Sequence, residues 1–424
     1  MGAALVGLIA ERGDEIEART GVRLEVARVA VRSLSRKRPV EVGEHLLTRD
    51  AEDVVADPAI DVIVEVIGGI EPARELILAA LGSGKPVVTA NKELLANHGA
   101  ELFEAASAGG VDLLFEAAVA GGIPIMRPLR ESLVGEDVRR IMGIVNGTTN
   151  FILTRMSEEG TSYAEALAEA QELGYAERDP TADVEGYDAG AKAAILASLA
   201  FGAKVVAGDV YHEGISSITA TDISFAERLG YVIKLLAVAE QVSVGQDEPD
   251  EVAVRVHPAM VPVTHPLAGV RDSFNAVFVE GAAVGDLMFY GRGAGGGPTA
   301  SAVLGDLVDA AVNRQKRTHA DLISLSRRPI RAIDALQTSY CVNLEVVDRP
   351  GVLRAIAEVY ERHRVSIRSM EQEDTGETAR LILITHQARE ADVQATLEDL
   401  RDLSEVLAIT SILRVIGDSE PGDG

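Results

Sequence analysis

With 424 residues, 47% of them hydrophobic, the chain has material for two to four domains and a sizeable core. A net charge of −26, spread along the sequence, argues against nucleic acid as a partner and reads as solubility. A single cysteine, Cys341, excludes a disulfide framework and a cysteine metal site and points to a reducing cytoplasm, and no apolar run approaches the ~20 residues of a membrane span.

Leu5, Leu8, Ile9 and Ile16 fall at helical spacing, so a helix is expected over 3–18, stopped by Thr20-Gly21. No basic region precedes an apolar one here, so no secretory peptide is expected. Residues 24–31 read as a buried strand, and 61–69 as a second strand closing on Gly68-Gly69. Glu71-Pro72 opens a helix to Ser83, 85–90 is a strand, Asn91-Lys92 opens the next helix, and 111–119 is a further strand. This alternation predicts an α/β unit over 1–118, a Rossmann-like parallel sheet with helices on both faces. Ligands of such sheets lie at the carboxyl ends of the strands, where Arg32, Gly68, Gly69, Asn91 and Lys92 fall. A dinucleotide fold of this kind begins with a strand and GxGxxG. Here the first helix follows Met1 directly, Gly2 stands where the last glycine of that fingerprint would, and the first strand is absent. Such a sheet would expose unpaired edges, which favours a true start upstream of Met1; a natively short chain that binds nucleotide poorly is the alternative. After 24–31 comes RSLSRKR rather than an acidic residue, so Arg32 suits the 2′-phosphate of NADP, unless the basic run is a solvated loop.

From residue 120 the alternation breaks. A helix is expected from 121–129, a strand over 138–147 and a helix over 148–160. The N–H groups at Asn146-Gly147-Thr148 could hold a carboxylate; Thr148 as a plain helix cap is the alternative. A short helix spans 162–174, and a long core helix is expected over 224–241. Strands follow at 252–262 and 274–281, then a glycine-rich loop feeding a helix over 289–312, whose glycines allow close backbone approach to a ligand.

The stretch with the most chemistry is GYAERDPTADVEGYDAGAK, Gly174 to Lys192. It carries Glu177, Asp179, Asp183, Glu185 and Asp188 ahead of Lys192. Asp188 and Lys192 are four apart and share a helical face with Ile195 and Leu199. Burial pushes such an ammonium's pKa down and carboxylates push it up, which suits an acid that gives up a proton near neutral pH. The alternative is an ordinary helix ion pair worth about 0.3–0.5 kcal/mol.

That stretch, with TANKELLA (89–96), VNGTTN (145–150) and FYGRGAGGGPTA (289–300), resembles homoserine dehydrogenase in order and spacing over nearly the whole chain. The resemblance implies interconversion of L-homoserine and L-aspartate 4-semialdehyde with NADP or NAD. It implies an α+β catalytic and dimerisation domain over 119–326, in a homo-oligomer. Lys192 would then be the proton donor. Glu177 and Asp188 would grip the substrate amino group, with Gly174, Tyr175 and Asp183 close by. Lys92 would touch cofactor and substrate, and Gly295 the nicotinamide end. A structural sodium ion would sit on Glu116, Val119, Gly121 and Ile123 of EAAVAGGI. The residue types fit independently: an amino-acid substrate needs anions for its ammonium and N–H donors for its carboxylate. Formation of the semialdehyde from an acyl phosphate needs a nucleophilic cysteine, and Cys341 lies in the last unit, which argues against that reaction.

Residues 327–338 read as a linker, and 339–416 as strands and helices in the order βαββαβ, a ferredoxin-like unit. Its strand–DRPGVL–helix entry resembles an ACT domain, which implies an amino-acid effector near the DRPG turn, with threonine expected; dimerisation without a ligand is the alternative. His363 and His386 read as surface residues, and the tail GDSEPGDG as disordered. Two rivals remain: a non-catalytic amino-acid sensor on a cofactor-deficient scaffold, and another amino-acid-linked dehydrogenase.

Overall fold

The structure is a computed structural model that describes residues 1–36, 38–243, 245, 250–320, 325–374 and 378–417. The tail expected to be disordered lies, beyond Gly417, outside the described residues. The first helix is α1 (Gly2–Thr20), ended by Gly21 in the left-handed region at φ 74°. The strand expected at 24–31 is not a buried one. Only β1 (Val29–Ala30) pairs, with β2 (Leu47–Thr48), while Leu24 and Val26 lean half-buried on the cluster built around α1.

After α2 (Ala51–Ala56) come β3 (Ile63–Glu65), α3 (Ala73–Gly82), β4 (Val87–Thr89), α4 (Lys92–Gly109) and β5 (Leu113–Leu114). The three strands form a parallel sheet in the order β3-β4-β5. α3 and α4 bury Leu76, Ile77, Leu94, Leu102 and Phe103 in the main core. α1 buries Leu5 and Ile9 with Val88 and Leu114, so apolar helix faces cover both sides, as a parallel sheet requires.

The middle of the chain runs β6 (Val138–Ile144), α5 (Gly147–Glu159), α6 (Tyr163–Glu172), α7 (Thr181–Val184), α8 (Tyr187–Phe201), β7 (Tyr211–His212), α9 (Ala220–Arg228), β8 (Tyr231–Val242), β9 (Glu251–Pro262), β10 (Phe274–Gly281), β11 (Gly285–Arg292) and α10 (Gly296–Lys316). The long helix expected over 224–241 is instead the end of α9, a turn at Gly230 in the left-handed region, and β8. Between 121 and 129 the expected helix is only a helical turn beginning at Met126. α8 packs across β8 and β9, burying Ala193, Ala194, Ile195, Leu196 and Leu199.

The carboxy-terminal unit follows as β12 (Gln337–Val347), α11 (Val352–Arg362), β13 (Ile367–Asp374), β14 (Thr378–Thr385), β15 (Ala388–Arg389), α12 (Glu390–Arg401) and β16 (Val406–Val415). Its order β16-β12-β14-β13, antiparallel throughout, is the expected ferredoxin-like arrangement. The sheet does not stop there. β16 pairs in parallel with β9 at Arg414↔Ala259 and Val415↔Met260, so the path β11-β10-β6-β8-β9-β16-β12-β14-β13 forms one sheet among the described residues. The segment read as a linker is likewise tied down: Ile330 bridges Val252, and Gln337 is already in β12. One face of the terminal sheet, with Cys341, Ile382, Ile384, Leu413 and Val415, joins the main core; the other, with Tyr340, Val342 and Leu344, is covered by α11 and α12. The Cys341 thiol is buried and its pKa is pushed up to about 12 by that burial. His386 is exposed as expected, but half-buried His363 instead hydrogen-bonds Asp399 at 2.8 Å.

Candidate active site

The amino-terminal ends of α4, α5 and α8 converge, and each delivers polar side chains to one buried cluster. Gly186 starts α8 with φ 85°, a conformation that costs an L side chain about 1–2 kcal/mol and glycine nothing. Two residues later Asp188 is buried, and one turn on so is Lys192. Lys192 Nζ donates to Asp188 Oδ2 at 2.6 Å and to the Val145 carbonyl, at the end of β6, at 2.6 Å. Lys92, the first residue of α4, donates to the other carboxylate oxygen, Asp188 Oδ1. A cation at a helix start opposes the helix dipole, and the Asp188 charge offsets this.

Asn146 completes the cluster. It caps α5 by accepting the Thr149 N–H at 2.9 Å, which orients its amide. The amide nitrogen donates to Asp188 Oδ2 at 2.8 Å and to Asp183 Oδ1 at 2.7 Å. The cap is thus Asn146, not Thr148, whose hydroxyl donates to the Tyr175 carbonyl at 2.7 Å. Gly147 has no room for a side chain: a Cβ would stand 2.8 Å from the Ser273 carbonyl oxygen.

Burial drives the Lys192 pKa below its ordinary value, the Asp188 charge opposing and the Lys92 charge assisting. Asp188 is also penalised by burial, yet the two ammonium groups hold it well below the usual carboxylate range. Burial raises Asp183, against its hydrogen bond from Asn146 and with the Asp188 charge. The cluster therefore presents a desolvated ammonium and an ionised carboxylate side by side, the residue types that proton transfer with an orienting partner requires.

Not every expected residue joins it. Glu177 is exposed beyond Gly174, and its side chain makes no hydrogen bond or ion pair among the described residues. Tyr175 is half exposed, its ring 4.9 Å from that of Phe151. Asn146 and Val145 lie in the VNGTTN motif, and the Asn146 backbone was expected at the helix start, but the contacts of the Asn146 amide with Asp183 and Asp188 and of the Val145 carbonyl with Lys192 were not expected.

The carboxyl ends of β3 and β4 lie on the cofactor side of the expected layout. Glu65 is buried there and accepts the Ile67 and Gly68 N–H groups at 2.6 and 3.1 Å and the Thr89 hydroxyl at 2.6 Å. Gly68 and Gly69 both turn through the left-handed region, at φ 79° and 76°. Asn91 caps α4 and donates to the Gly69 carbonyl at 2.6 Å. Gly2 starts α1 at the same end, its missing Cβ 3.4 Å from Val66, and no side chain caps that helix. First-turn N–H groups and left-handed glycines at a strand end fit a dinucleotide phosphate. Arg32 is exposed just past β1; Arg38, by contrast, folds back on the carbonyls of Ser33, Leu34 and Arg36, and Lys37 lies outside the described residues.

Gly295, at φ 113°, leads into α10. Its loop rests on residues 120–123: Gly122 N–H donates to the Arg292 carbonyl at 3.1 Å, and a Cβ on Gly121 would lie 2.1 Å from the Gly293 oxygen. Beside them Glu116 is buried, Oε1 accepting the Ile125 and Met126 N–H groups at 2.5 and 2.7 Å and Oε2 that of Arg127 at 3.0 Å. The carbonyls of Val119, Gly121 and Ile123 accept no hydrogen bond from the described residues, although all three residues are buried. Unmet carbonyls on buried residues and a carboxylate with a lone pair to spare are the donor types that a monovalent cation takes.

Comparison with known proteins gives the family of the chain. The homoserine dehydrogenase profile matches residues 124–308, the homoserine dehydrogenase NAD-binding domain residues 1–116, and the ACT domain residues 342–405. The chain is 50% identical to the homoserine dehydrogenase of Corynebacterium glutamicum over 98% of its own length and 93% of that protein's, and 41% identical to that of Bacillus subtilis over 98% and 96%. The crystal structure of a Thiobacillus denitrificans homoserine dehydrogenase superposes with a TM-score of 0.90 at 42% identity, covering 98% of this chain and 95% of that one. A hyperthermophilic archaeal homoserine dehydrogenase in complex with NADPH superposes with a TM-score of 0.61 at 31% identity, over 74% and 95%. The chain therefore belongs to the homoserine dehydrogenase family, with an NAD-binding domain, a catalytic domain and a carboxy-terminal ACT domain.

Proposed function

We propose that the chain interconverts L-homoserine and L-aspartate 4-semialdehyde, with Lys192 as the acid and base of the reaction. The observation that carries this is the buried Lys192 ammonium, held between Asp188 Oδ2 and the Val145 carbonyl at 2.6 Å each. When bound, the nicotinamide supplies or accepts the hydride. In the reducing direction Lys192 Nζ gives its proton to the aldehyde oxygen; in the oxidising direction the neutral amine takes the hydroxyl proton. Asp188 orients Nζ and faces the substrate ammonium, with Asp183 and the more exposed Glu177. The helix start at Gly147-Thr148 offers N–H groups to the substrate carboxylate, beside Gly174 and Tyr175.

We assign the dinucleotide to Gly2, Gly68, Lys92 and Gly295, with Arg32 favouring NADP. A sodium ion would be held by Glu116, Val119, Gly121 and Ile123 in a structural role. The units are read as 1–118, 119–326 and 339–416, the last binding an amino acid, with threonine expected, in a cytoplasmic homo-oligomer. Among the described residues no helix is long and apolar enough to cross a membrane.

The test is Lys192→Ala assayed with homoserine and NADP. Turnover falls by about 10²–10⁴ while NADPH titration by fluorescence stays close to the parent. Near-normal turnover would refute the proton role, and a parent chain that shows no saturable NADPH binding favours a non-catalytic sensor.

A further inference from the structure

Between the catalytic sheet and the carboxy-terminal unit lies a buried charged cluster that the chemistry above does not use. Its centre is Arg414 on β16. Nη2 and Nε donate to the two carboxylate oxygens of Glu390 at 3.0 and 3.3 Å, and Nη1 donates to Glu213 Oε1 at 2.9 Å. The rings of Tyr340 and Tyr211 flank the guanidinium at 5.4 and 5.5 Å, and their hydroxyls donate to Glu390 and Glu213. Glu390, Tyr340 and Arg414 belong to the carboxy-terminal unit; Glu213 and Tyr211 follow the catalytic helix. One guanidinium thus neutralises a carboxylate from each side. Losing it would leave buried negative charge uncompensated, the costly way to break such a pair.

From Glu213 the contact reaches α8 within a few residues. The Glu213 N–H donates to the Val256 carbonyl at 2.8 Å, which pins the segment to β9. Ile215 N–H donates to the Val184 carbonyl at 2.8 Å, and a Cβ on Gly214 would stand 2.5 Å from that same oxygen. The ring of His212 lies 4.3 Å from that of Tyr187, the first residue of α8. A Cβ on Gly186 would meet Val256 at 3.2 Å and the Glu213 carbonyl oxygen at 3.3 Å. The 211–215 segment is therefore packed directly against the turn that aims Asp188, and Asp188 holds both Lys92 and Lys192.

We propose that Arg414 and Glu213 are positioning residues for the reaction. Their cage fixes the 211–215 segment, the segment fixes the start of α8, and a change in α12 or β16 reaches Asp188 and Lys192 by this route. Coupling of this kind needs an element that both sites bias, and the Arg414–Glu213 bond is the shared one.

The test is Glu213→Gln in the full chain, with Arg414→Lys as a second variant. In E213Q, amide exchange over residues 184–192 speeds up about tenfold, the scale of one hydrogen bond to a charged group. The KM for homoserine rises by a similar factor while that for the cofactor stays within about twofold. R414K repeats both effects; if it does not fold, E213Q decides alone, since its carboxylate is partly exposed. Unchanged exchange over 184–192 in folded E213Q overturns the proposal, as does a loss of thermal stability with KM unaltered. The kinetic arm rests on the homoserine reading, the exchange arm does not: a parent chain inert toward homoserine sinks that reading and leaves exchange to judge the cage.

Discussion

Lys192 is set by two opposed effects of similar kind. Removal from water favours its neutral amine, and the Asp188 carboxylate beside it favours the ammonium. Burial wins, so the sign of the pH dependence follows. With Lys192 as the proposed acid and base, homoserine oxidation, which would use the neutral amine, is expected to rise with pH, and semialdehyde reduction, which would use the ammonium, to fall. Both midpoints lie below the ordinary lysine value. Asp188→Asn removes the charge that holds the proton on, so its residual activity has a midpoint shifted further down, read from kcat–pH profiles in both directions. An unmoved or raised midpoint contradicts the assignment. At this scale the sequence was legible where one element carries the chemistry: the four-residue spacing of Asp188 and Lys192 is enough to pair them. It was not legible for Asn146, whose amide contacts Asp183 and Asp188 only because α5, α7 and α8 meet. Glu177, in the same motif as Asp188 and Lys192, stays outside the buried cluster and faces solvent, where a substrate ammonium could still meet it.

Elements were legible where their periodicity was distinct. α4 falls where its capping Asn91 puts it, and α8 where the shared face of Asp188, Lys192, Ile195 and Leu199 puts it. β8 was misread because a run such as YVIKLLAVA, buried on both faces, lacks the alternation of a half-exposed strand, and periodicity cannot separate it from a core helix. The glycine at 230 was the available sign of a break. Between elements, the 119–123 turn and the 292–298 loop act as one piece. Gly121, at φ 57°, abuts Gly293, and a Cβ on Gly293 would fall 2.0 Å from Asn275. Gly121→Ala must therefore displace the loop that carries Gly295. Beyond the ~1–2 kcal/mol for the left-handed conformation, the KM for the cofactor rises while that for homoserine changes less. Equal KM values for mutant and parent would separate the two loops.

For the whole molecule, the order of the three units follows from the sequence, but their continuity does not. Nothing in β9 or β16 announces that their edges pair, because strand partners far apart in sequence leave no local signal. The pairing covers Ala259 and Met260 on an edge that a free-standing catalytic sheet would expose there. Ion pairs from Arg228 to Glu371 and Glu373, and a hydrogen bond from Arg368 to the Tyr231 hydroxyl at 3.0 Å, tie the two sides elsewhere.

Cys341 sits on the seam face of β12, shielded and with its thiolate suppressed. A maleimide reaches it only when this part of the core opens, as it does when the two halves of the sheet come apart. Since the chain has no other thiol, alkylation measured by mass reports the opening of this face with no label to engineer, and gives its rate where alkylation outpaces reclosing. Slow modification that accelerates sharply in E213Q is the expected record; prompt modification of the intact chain would mean that the seam stands open.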